Sequence, residues 1–124
     1  MRPTTYTPVQ YRFPEGESFK HERLKWVDHG SLSAAPVADP ALDARLRDEA
    51  ADFFLALGGA GFARCDVRVA ACGTPYMLEI NPLCGIYFEE KDYGGADLCL
   101  SLDPSGHAGF TRQLVEVALA RGRG

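Results

Sequence analysis

A hairpin signature in the middle of the chain limits the folds available to this sequence more than any other feature. Two runs in which apolar and polar residues alternate are separated by a glycine-containing turn; they read FARCDVRV, AACGTP and YMLEIN. This pattern is typical of two antiparallel strands, predicted at 62–69 and 75–81. If Cys72-Gly73 is the turn, the opposite pairs include Arg64 with Asn81, Asp66 with Glu79, and Val69 with Tyr76.

The predicted register divides the hairpin into an apolar face and a polar face. Opposite residues of an antiparallel pair point to the same side of the sheet, and side chains alternate along each strand. The apolar face would carry Cys65, Val67, Val69, Tyr76, Leu78 and Ile80. The polar face would carry Arg64, Asp66, Arg68, Met77, Glu79 and Asn81.

Two carboxylates, those of Asp66 and Glu79, face each other on this polar side. Like charges directly opposite, with Cβ atoms roughly 5 Å apart, are unfavourable, and a divalent cation between them removes the repulsion. Mg²⁺ prefers oxygen ligands, and the Asn81 side-chain oxygen matches that chemistry. Arg64 is suited to pair with phosphate or with a developing oxyanion. The alternative is an ionic ladder on a solvated face that binds nothing, and the register alone leaves both interpretations open.

The remaining segments predict an α+β protein. Asp39-Pro40 is an N-cap acceptor followed by a proline at the first helical position, and Gly58 supplies the exit from a helix over 40–57. The stripe of this helix that we expect to be buried is Leu42, Leu46, Ala50, Phe53, Phe54 and Leu57. Strands are predicted at 8–13 and 20–27, an apolar stretch at 97–101 is a further candidate strand, and a C-terminal helix is predicted over 107–120. We expect a mostly antiparallel sheet packed by two main helices.

Length and composition exclude several classes of protein. A chain of 124 residues is long enough for one compact unit and too short for two ordinary domains. The net charge of −4 and the absence of like-charge runs give no indication of a nucleic-acid or membrane partner. The first residues lack the apolar core of a signal peptide, so we expect a cytoplasmic protein. The four cysteines and three histidines have no metal-ligand spacing, and reduced thiols are the better expectation.

The segment 61–86, GFARCDVRVAACGTPYMLEINPLCGI, resembles the C-terminal metal-binding hairpin of ATP-grasp enzymes, most of all D-alanine:D-alanine ligases and ligase-like proteins. The resemblance implies that Asp66, Glu79 and Asn81 hold the Mg²⁺ (or Mn²⁺) ions that bridge the phosphates of ATP. It also implies that Arg64 and the backbone N–H of Gly85 stabilise the acyl-phosphate and tetrahedral intermediates.

Three further residues match family positions that contact the nucleotide. Lys25 falls where the family has a lysine on the terminal phosphate, and Phe19 and Leu78 fall where apolar side chains pack near the adenine. Each has a simpler alternative: a solvated lysine, and two core side chains. Gly85 likewise could serve only to let the chain turn. The segment IYFEEKDYGG stands where active ligases carry a Ser/Thr-rich substrate contact, so D-alanine specificity does not follow.

The resemblance implies an ATP- and Mg-dependent carboxylate–amine ligase that works through an acyl phosphate, with ATP and a small carboxylate or amino acid as substrates. Residues 1–124 would be a single C-terminal lobe, with the N-terminal ATP-grasp lobe and the substrate domain absent, and inactive alone. The alternative is a non-catalytic nucleotide- or metal-binding or interaction module derived from such a lobe. The surface that contacts another lobe in a full ligase would be exposed in this chain and could drive self-association. A homo-oligomer is therefore an open alternative.

Overall fold

A computed structural model describes residues 2–12 and 33–123. The secondary-structure elements of these residues, in chain order, are β1 (Val9–Arg12), β2 (Ser33–Pro36), α1 (Pro40–Ala56), β3 (Arg64–Val69), β4 (Pro75–Asn81), a 3-10 helix (Glu90–Asp92), α2 (Gly95–Leu102) and α3 (Gly106–Arg123). The α+β class predicted from the sequence is confirmed. No helix in the described ranges combines the length and apolar character needed to cross a membrane.

The described strands form two antiparallel pairs, β1 with β2 and β3 with β4. The prediction at 8–13 is confirmed as β1, whereas β2 is not among the strands predicted from the sequence. Its short sequence, SAAP, contains none of the β-branched or aromatic residues that indicate a strand. The strand predicted at 20–27 lies outside the described residues.

Helix α1 begins as its sequence predicts. The Asp39 carboxylate accepts a hydrogen bond from the backbone N–H of Ala41 at 3.0 Å, and Pro40 occupies the first turn. The exit lies at Gly58, whose φ of 68° is in the left-handed region. Only Ala51 of the helix is fully buried, and the expected burial of Leu57 is wrong, since this side chain is 59% exposed. Leu57 follows the last helical residue and therefore leaves the buried stripe.

The segment 97–101 is helical, and the candidate strand there is wrong. It lies within α2, which begins after Gly94 and carries Asp97 in its first turn. A short apolar run such as LCLSL has the same appearance in a buried strand and in a buried helix, so periodicity does not separate them. The C-terminal helix prediction is confirmed by α3.

The core lies where α3 meets the N-terminal segment and the residues that flank the β3–β4 hairpin. Phe110 of α3 is 5% exposed, and its ring packs edge-on against those of Tyr6 and Phe62, with centroids 5.5 and 5.3 Å away. Helix α2 contacts both α3 and β1. Burial raises the pKa of the Cys99 thiol in α2 to about 11, so this thiol stays protonated near neutral pH.

Candidate functional site

The base of the β3–β4 hairpin has the predicted register. Asp66 lies opposite Glu79, and Arg64 lies opposite Asn81. Opposite residues share a face, so the two carboxylates, the amide and the guanidinium project to the same side of the hairpin. The structure therefore brings together four of the residues that were singled out from the sequence.

The tip of the hairpin differs from the prediction. Its loop has three residues, Ala71 to Gly73, closed by a hydrogen bond from the N–H of Ala70 to the carbonyl of Thr74. Gly73 has a φ of 90°, as the last residue of such a loop requires. Val69 is therefore opposite Pro75, and the predicted pairing of Val69 with Tyr76 is wrong.

A bulge in β4 restores the predicted register. Val67 is opposite Met77 and Asp66 is opposite Glu79, so Leu78 is an extra residue with no partner in β3. The longer loop shifts the pairing by one position, and the bulge shifts it back. Beyond the bulge, Met77 shares the face of Val67 and Tyr76 shares the face of Arg68, so the predicted faces of these two residues are exchanged.

Arg64 and Asp66 form a forked ion pair within β3. Arg64 Nε donates to Asp66 Oδ1 at 3.0 Å, and Nη2 donates to Oδ2 at 3.2 Å. Burial opposes the charged form of Arg64, but the hydrogen bonds and the negative charge of Asp66 outweigh it, so the pKa of the guanidinium is raised. The arginine is thus held in a defined position.

Glu79 and Asn81 complete the polar face. The Glu79 side chain is exposed, and we find no hydrogen-bond or ionic partner for it in the described part of the chain. The Asn81 Oδ1 accepts a hydrogen bond from the N–H of Leu83 at 2.9 Å, which begins the turn after β4 and leaves one lone pair of that oxygen. Two carboxylates and one amide oxygen are a donor set that suits a hard divalent cation.

This set is sparser than a complete protein metal cage. Residues 2–12 and 33–123 contain no cluster of three or more His, Cys, Asp or Glu side chains able to hold a metal ion. Mg²⁺ commonly takes only one or two carboxylates and completes its shell with water and substrate phosphates. The donors of the hairpin therefore fit that ion in the presence of a phosphate ligand.

A buried aspartate, Asp97, holds the loop after β4, which contains Gly85. The Asp97 side chain has 0% exposure, and its oxygens accept hydrogen bonds from the N–H groups of Tyr87 at 2.8 Å and Phe88 at 3.1 Å. The Nε2 of His107 in α3 lies 2.8 Å from Asp97 Oδ1. These bonds hold Tyr87 in a left-handed conformation, with a φ of 65°.

Sequence reasoning did not single out Asp97 or His107. The available signal was a charged residue immediately before an apolar run, in DLCL, because a carboxylate is rarely placed in such surroundings without partners. Gly85 itself is exposed, and a Cβ atom there would lie 2.6 Å from the Phe88 ring. The glycine thus permits the close approach of Phe88, a structural role that is compatible with a further role of its N–H.

The structure describes only one of the three side chains predicted to contact the nucleotide. Leu78 is 62% exposed at the bulge, which leaves its side chain available to a ligand or to another part of a protein. Lys25 and Phe19 lie outside the described residues. The structure thus assembles Arg64, Asp66, Glu79 and Asn81 on one face and places Leu78 and Gly85 in neighbouring parts of the chain.

Comparison with known proteins gives a consistent result. Residues 6–88 match the protein family described as D-ala D-ala ligase C-terminus. A D-alanine–D-alanine ligase of Dichelobacter nodosus (strain VCS1703A) is 47% identical over 55 residues, which are 44% of this chain and 17% of that protein. The D-alanine–D-alanine ligase of Lactiplantibacillus plantarum (strain ATCC BAA-793 / NCIMB 8826 / WCFS1) is 39% identical over 74 residues, 58% of this chain and 20% of the relative.

A third relative, the D-alanine–D-alanine ligase of Streptococcus mutans serotype c (strain ATCC 700610 / UA159), is 33% identical over 69 residues, 55% of this chain and 20% of the relative. No solved structure matches the chain. The chain spans about a fifth of the length of these curated relatives. The family match covers β1 to the loop after β4, including the whole polar face of the hairpin, and the chain belongs to the D-ala D-ala ligase C-terminus family.

Proposed function

We propose that this chain is the C-terminal lobe of an ATP- and Mg-dependent carboxylate–amine ligase. The observation that carries the proposal is the face shared by Asp66, Glu79, Asn81 and Arg64, which lies within the part matched to the ligase family. The substrates would be ATP and a small carboxylate or amino acid. We extend the proposal to a cytoplasmic protein, in keeping with four free cysteines.

In this proposal Asp66, Glu79 and Asn81 hold Mg²⁺ or Mn²⁺. The bound ion would supply charge neutralisation at the phosphates of ATP. Two facing carboxylates suit that task, because their like charges are unfavourable at that spacing and a bound cation lowers the repulsion. Asn81 contributes an uncharged oxygen, and the hydrogen bond that this oxygen accepts from the Leu83 N–H restricts the position of the amide.

Arg64 and Gly85 would act on the reacting groups. A guanidinium donates two parallel hydrogen bonds to phosphate or carboxylate oxygens, so Arg64 is suited to stabilise an acyl phosphate and the charge that develops when an amine attacks it. The Gly85 N–H would donate to the same oxygen. Leu78, and Lys25 and Phe19 outside the described residues, would contact the nucleotide.

Catalysis would require the remaining parts of a longer ligase. The relatives are about five times as long as the segment of them that this chain matches. ATP-grasp enzymes enclose the nucleotide between lobes, and exclusion of water is part of their chemistry. We therefore expect this chain to bind Mg-ATP weakly and to form no product alone.

Calorimetric titration with Mg-ATP tests the site. We expect the wild-type chain to bind, and both Asp66→Asn and Glu79→Gln to bind at least about tenfold more weakly, because each removes a ligand charge. Glu116→Gln, on the exposed side of α3, makes the same change of charge away from the hairpin and should bind as the wild type does. Equal binding by all four proteins, or none by the wild type, would contradict the proposed site.

A further inference from the structure

The Arg64–Asp66 pair bears directly on how a cation reaches this face. Both oxygens of Asp66 already accept hydrogen bonds from one guanidinium, at 3.0 and 3.2 Å. That positive group relieves the repulsion between Asp66 and Glu79, which is the task we assign to a metal ion. A metal ion bound by Asp66 and a guanidinium forked onto the same oxygens are two cations competing for one carboxylate.

The arginine is positioned by more than its ion pair. Its side chain is 29% exposed, and it runs along the first residue of α2. A Cβ atom at Gly95 would lie 3.3 Å from Arg64 Cδ and 3.4 Å from the Tyr11 hydroxyl. The absence of a side chain at Gly95 therefore leaves the space that the arginine stem occupies. Much of the entropy of fixing this long side chain is lost on folding, so the fork is already formed when a ligand arrives.

We propose that Arg64 occupies the cation site of the nucleotide-free chain, and that a metal ion must displace it from Asp66. This inference rests on the proposed function and adds a regulatory step to it. The arginine weakens binding of the bare metal ion, and a phosphate group offers the released guanidinium a new bidentate partner. Metal and nucleotide consequently bind cooperatively, each favouring the state in which the Arg64–Asp66 pair is broken.

Titration of the full chain with Mn²⁺ alone tests the inference. Binding is measured as the loss of the electron paramagnetic resonance signal of the free ion. We expect Arg64→Gln to bind Mn²⁺ about fivefold more tightly than the wild type, the size expected for removing one solvent-screened charge at close range. Arg121→Gln is the matched control, since it removes the same charge from an exposed position near the C-terminal end of α3, and it should stay within about twofold of the wild type.

Two further variants complete the design. Arg64→Lys keeps the positive charge but loses the fork, so its Mn²⁺ affinity should lie between those of the wild type and Arg64→Gln. If Arg64→Gln does not fold, a rise in affinity for Arg64→Lys supports the inference and an unchanged affinity overturns it. Asp66→Asn should bind more weakly than the wild type, which assigns the bound ion to this site.

The outcomes separate the two proposals. Mn²⁺ binding that depends on Asp66 but is equal in the wild type and Arg64→Gln overturns the displacement step and leaves the proposed metal site intact. No Mn²⁺ binding by any variant overturns the proposed metal site and the displacement step together. Addition of ATP should raise the Mn²⁺ affinity of the wild type more than that of Arg64→Gln, measured against a protein-free titration because ATP itself binds Mn²⁺. An equal gain in both would contradict the cooperative part of the inference.

Discussion

Asp97 in α2 and the Asp66/Glu79 pair of the hairpin hold carboxylates in opposite surroundings. Asp97 is completely buried, and its two oxygens accept from two backbone N–H groups and contact a histidine nitrogen. Asp66 has 38% side-chain exposure, its only ionic partner among the described residues is Arg64, and Glu79 opposite it is exposed. The Asp97 carboxylate is fully enclosed by protein partners, whereas the Asp66 carboxylate has one partner side chain and Glu79 opposite it is open to solvent.

The two sites differ in what their carboxylates contribute to the fold. A buried carboxylate is tolerated only when its hydrogen bonds are satisfied, so Asp97 is explained by the loop that it holds. Two facing carboxylates on an exposed hairpin do not stabilise the fold, because like charges at that spacing are unfavourable. In the proposed function a ligand is the reason for Asp66 and Glu79, whereas Asp97 has an architectural role in the loop that contains Gly85.

The strongest test of this contrast is Asp97→Asn. An amide has one acceptor oxygen and presents N–H groups toward donors, so buried groups of the loop lose their partners. We expect the free energy of unfolding to fall by about 3 kcal/mol. Urea denaturation measures the change, with Asp66→Asn as the matched control on the hairpin, where we expect less than about 1 kcal/mol. Similar losses in the two variants would remove the distinction between the sites.

Asp103 is a partly buried carboxylate whose contribution to stability depends on pH. Burial opposes its charged form, but hydrogen bonds from Ser105 and Thr7 outweigh that effect and hold the pKa of the carboxyl below its ordinary value of 3.8. A pKa that is lower in the folded state stabilises the protein above the unfolded-state pKa, and this contribution is lost as the pH falls through the folded-state pKa.

We therefore expect the stability difference between wild type and Asp103→Asn to shrink as the pH is lowered below about 4, the unfolded-state range of an aspartate. Urea denaturation at a series of pH values between about 3 and 6 measures this difference. Other carboxyl groups titrate in both proteins and largely cancel. A difference that is constant over that range would show that the Asp103 hydrogen bonds do not depend on its charge.

Asp39 is an exposed carboxylate whose hydrogen-bond partner is two residues away in the sequence. Its side chain accepts a hydrogen bond from the Ala41 N–H at the start of α1, so Asp39→Ala should lower the free energy of unfolding by about 1 kcal/mol. Asp39→Ser retains an oxygen acceptor and should recover most of that loss. Thermal or urea unfolding compares the three proteins, and an equal loss in both variants would show that the cap contributes little.

The smallest expected effect has the opposite sign. Glu79→Gln removes one of two facing charges, and we expect the free energy of unfolding to rise by a few tenths of a kcal/mol. Glu116→Gln, on an exposed helix face, should leave stability unchanged. A loss of stability in Glu79→Gln would mean that this carboxylate supports the fold, and the contrast with Asp97 would then be weaker.

Much of the site was predictable because its information is local. Strand alternation and the glycine turn indicate a hairpin, and the opposition of Asp66 and Glu79 follows from a count of residues. That count was right at the base for an incomplete reason, since a longer loop at Ala71 and a bulge at Leu78 offset each other. The error appears only between them, where the pairing of Val69 was wrong.

The sequence by itself determined the elements whose signals lie within a few residues: the capped helix α1, the β3–β4 hairpin and the polar face with its metal-type donors. Tertiary structure decided that 95–102 is a helix and not a strand, because the decisive partners of Asp97 are the distant backbone of Tyr87 and Phe88 and the ring of His107. It also decided that Arg64 folds back onto Asp66 in the space left by Gly95. Such choices depend on which groups are buried together, and a local pattern does not contain that information.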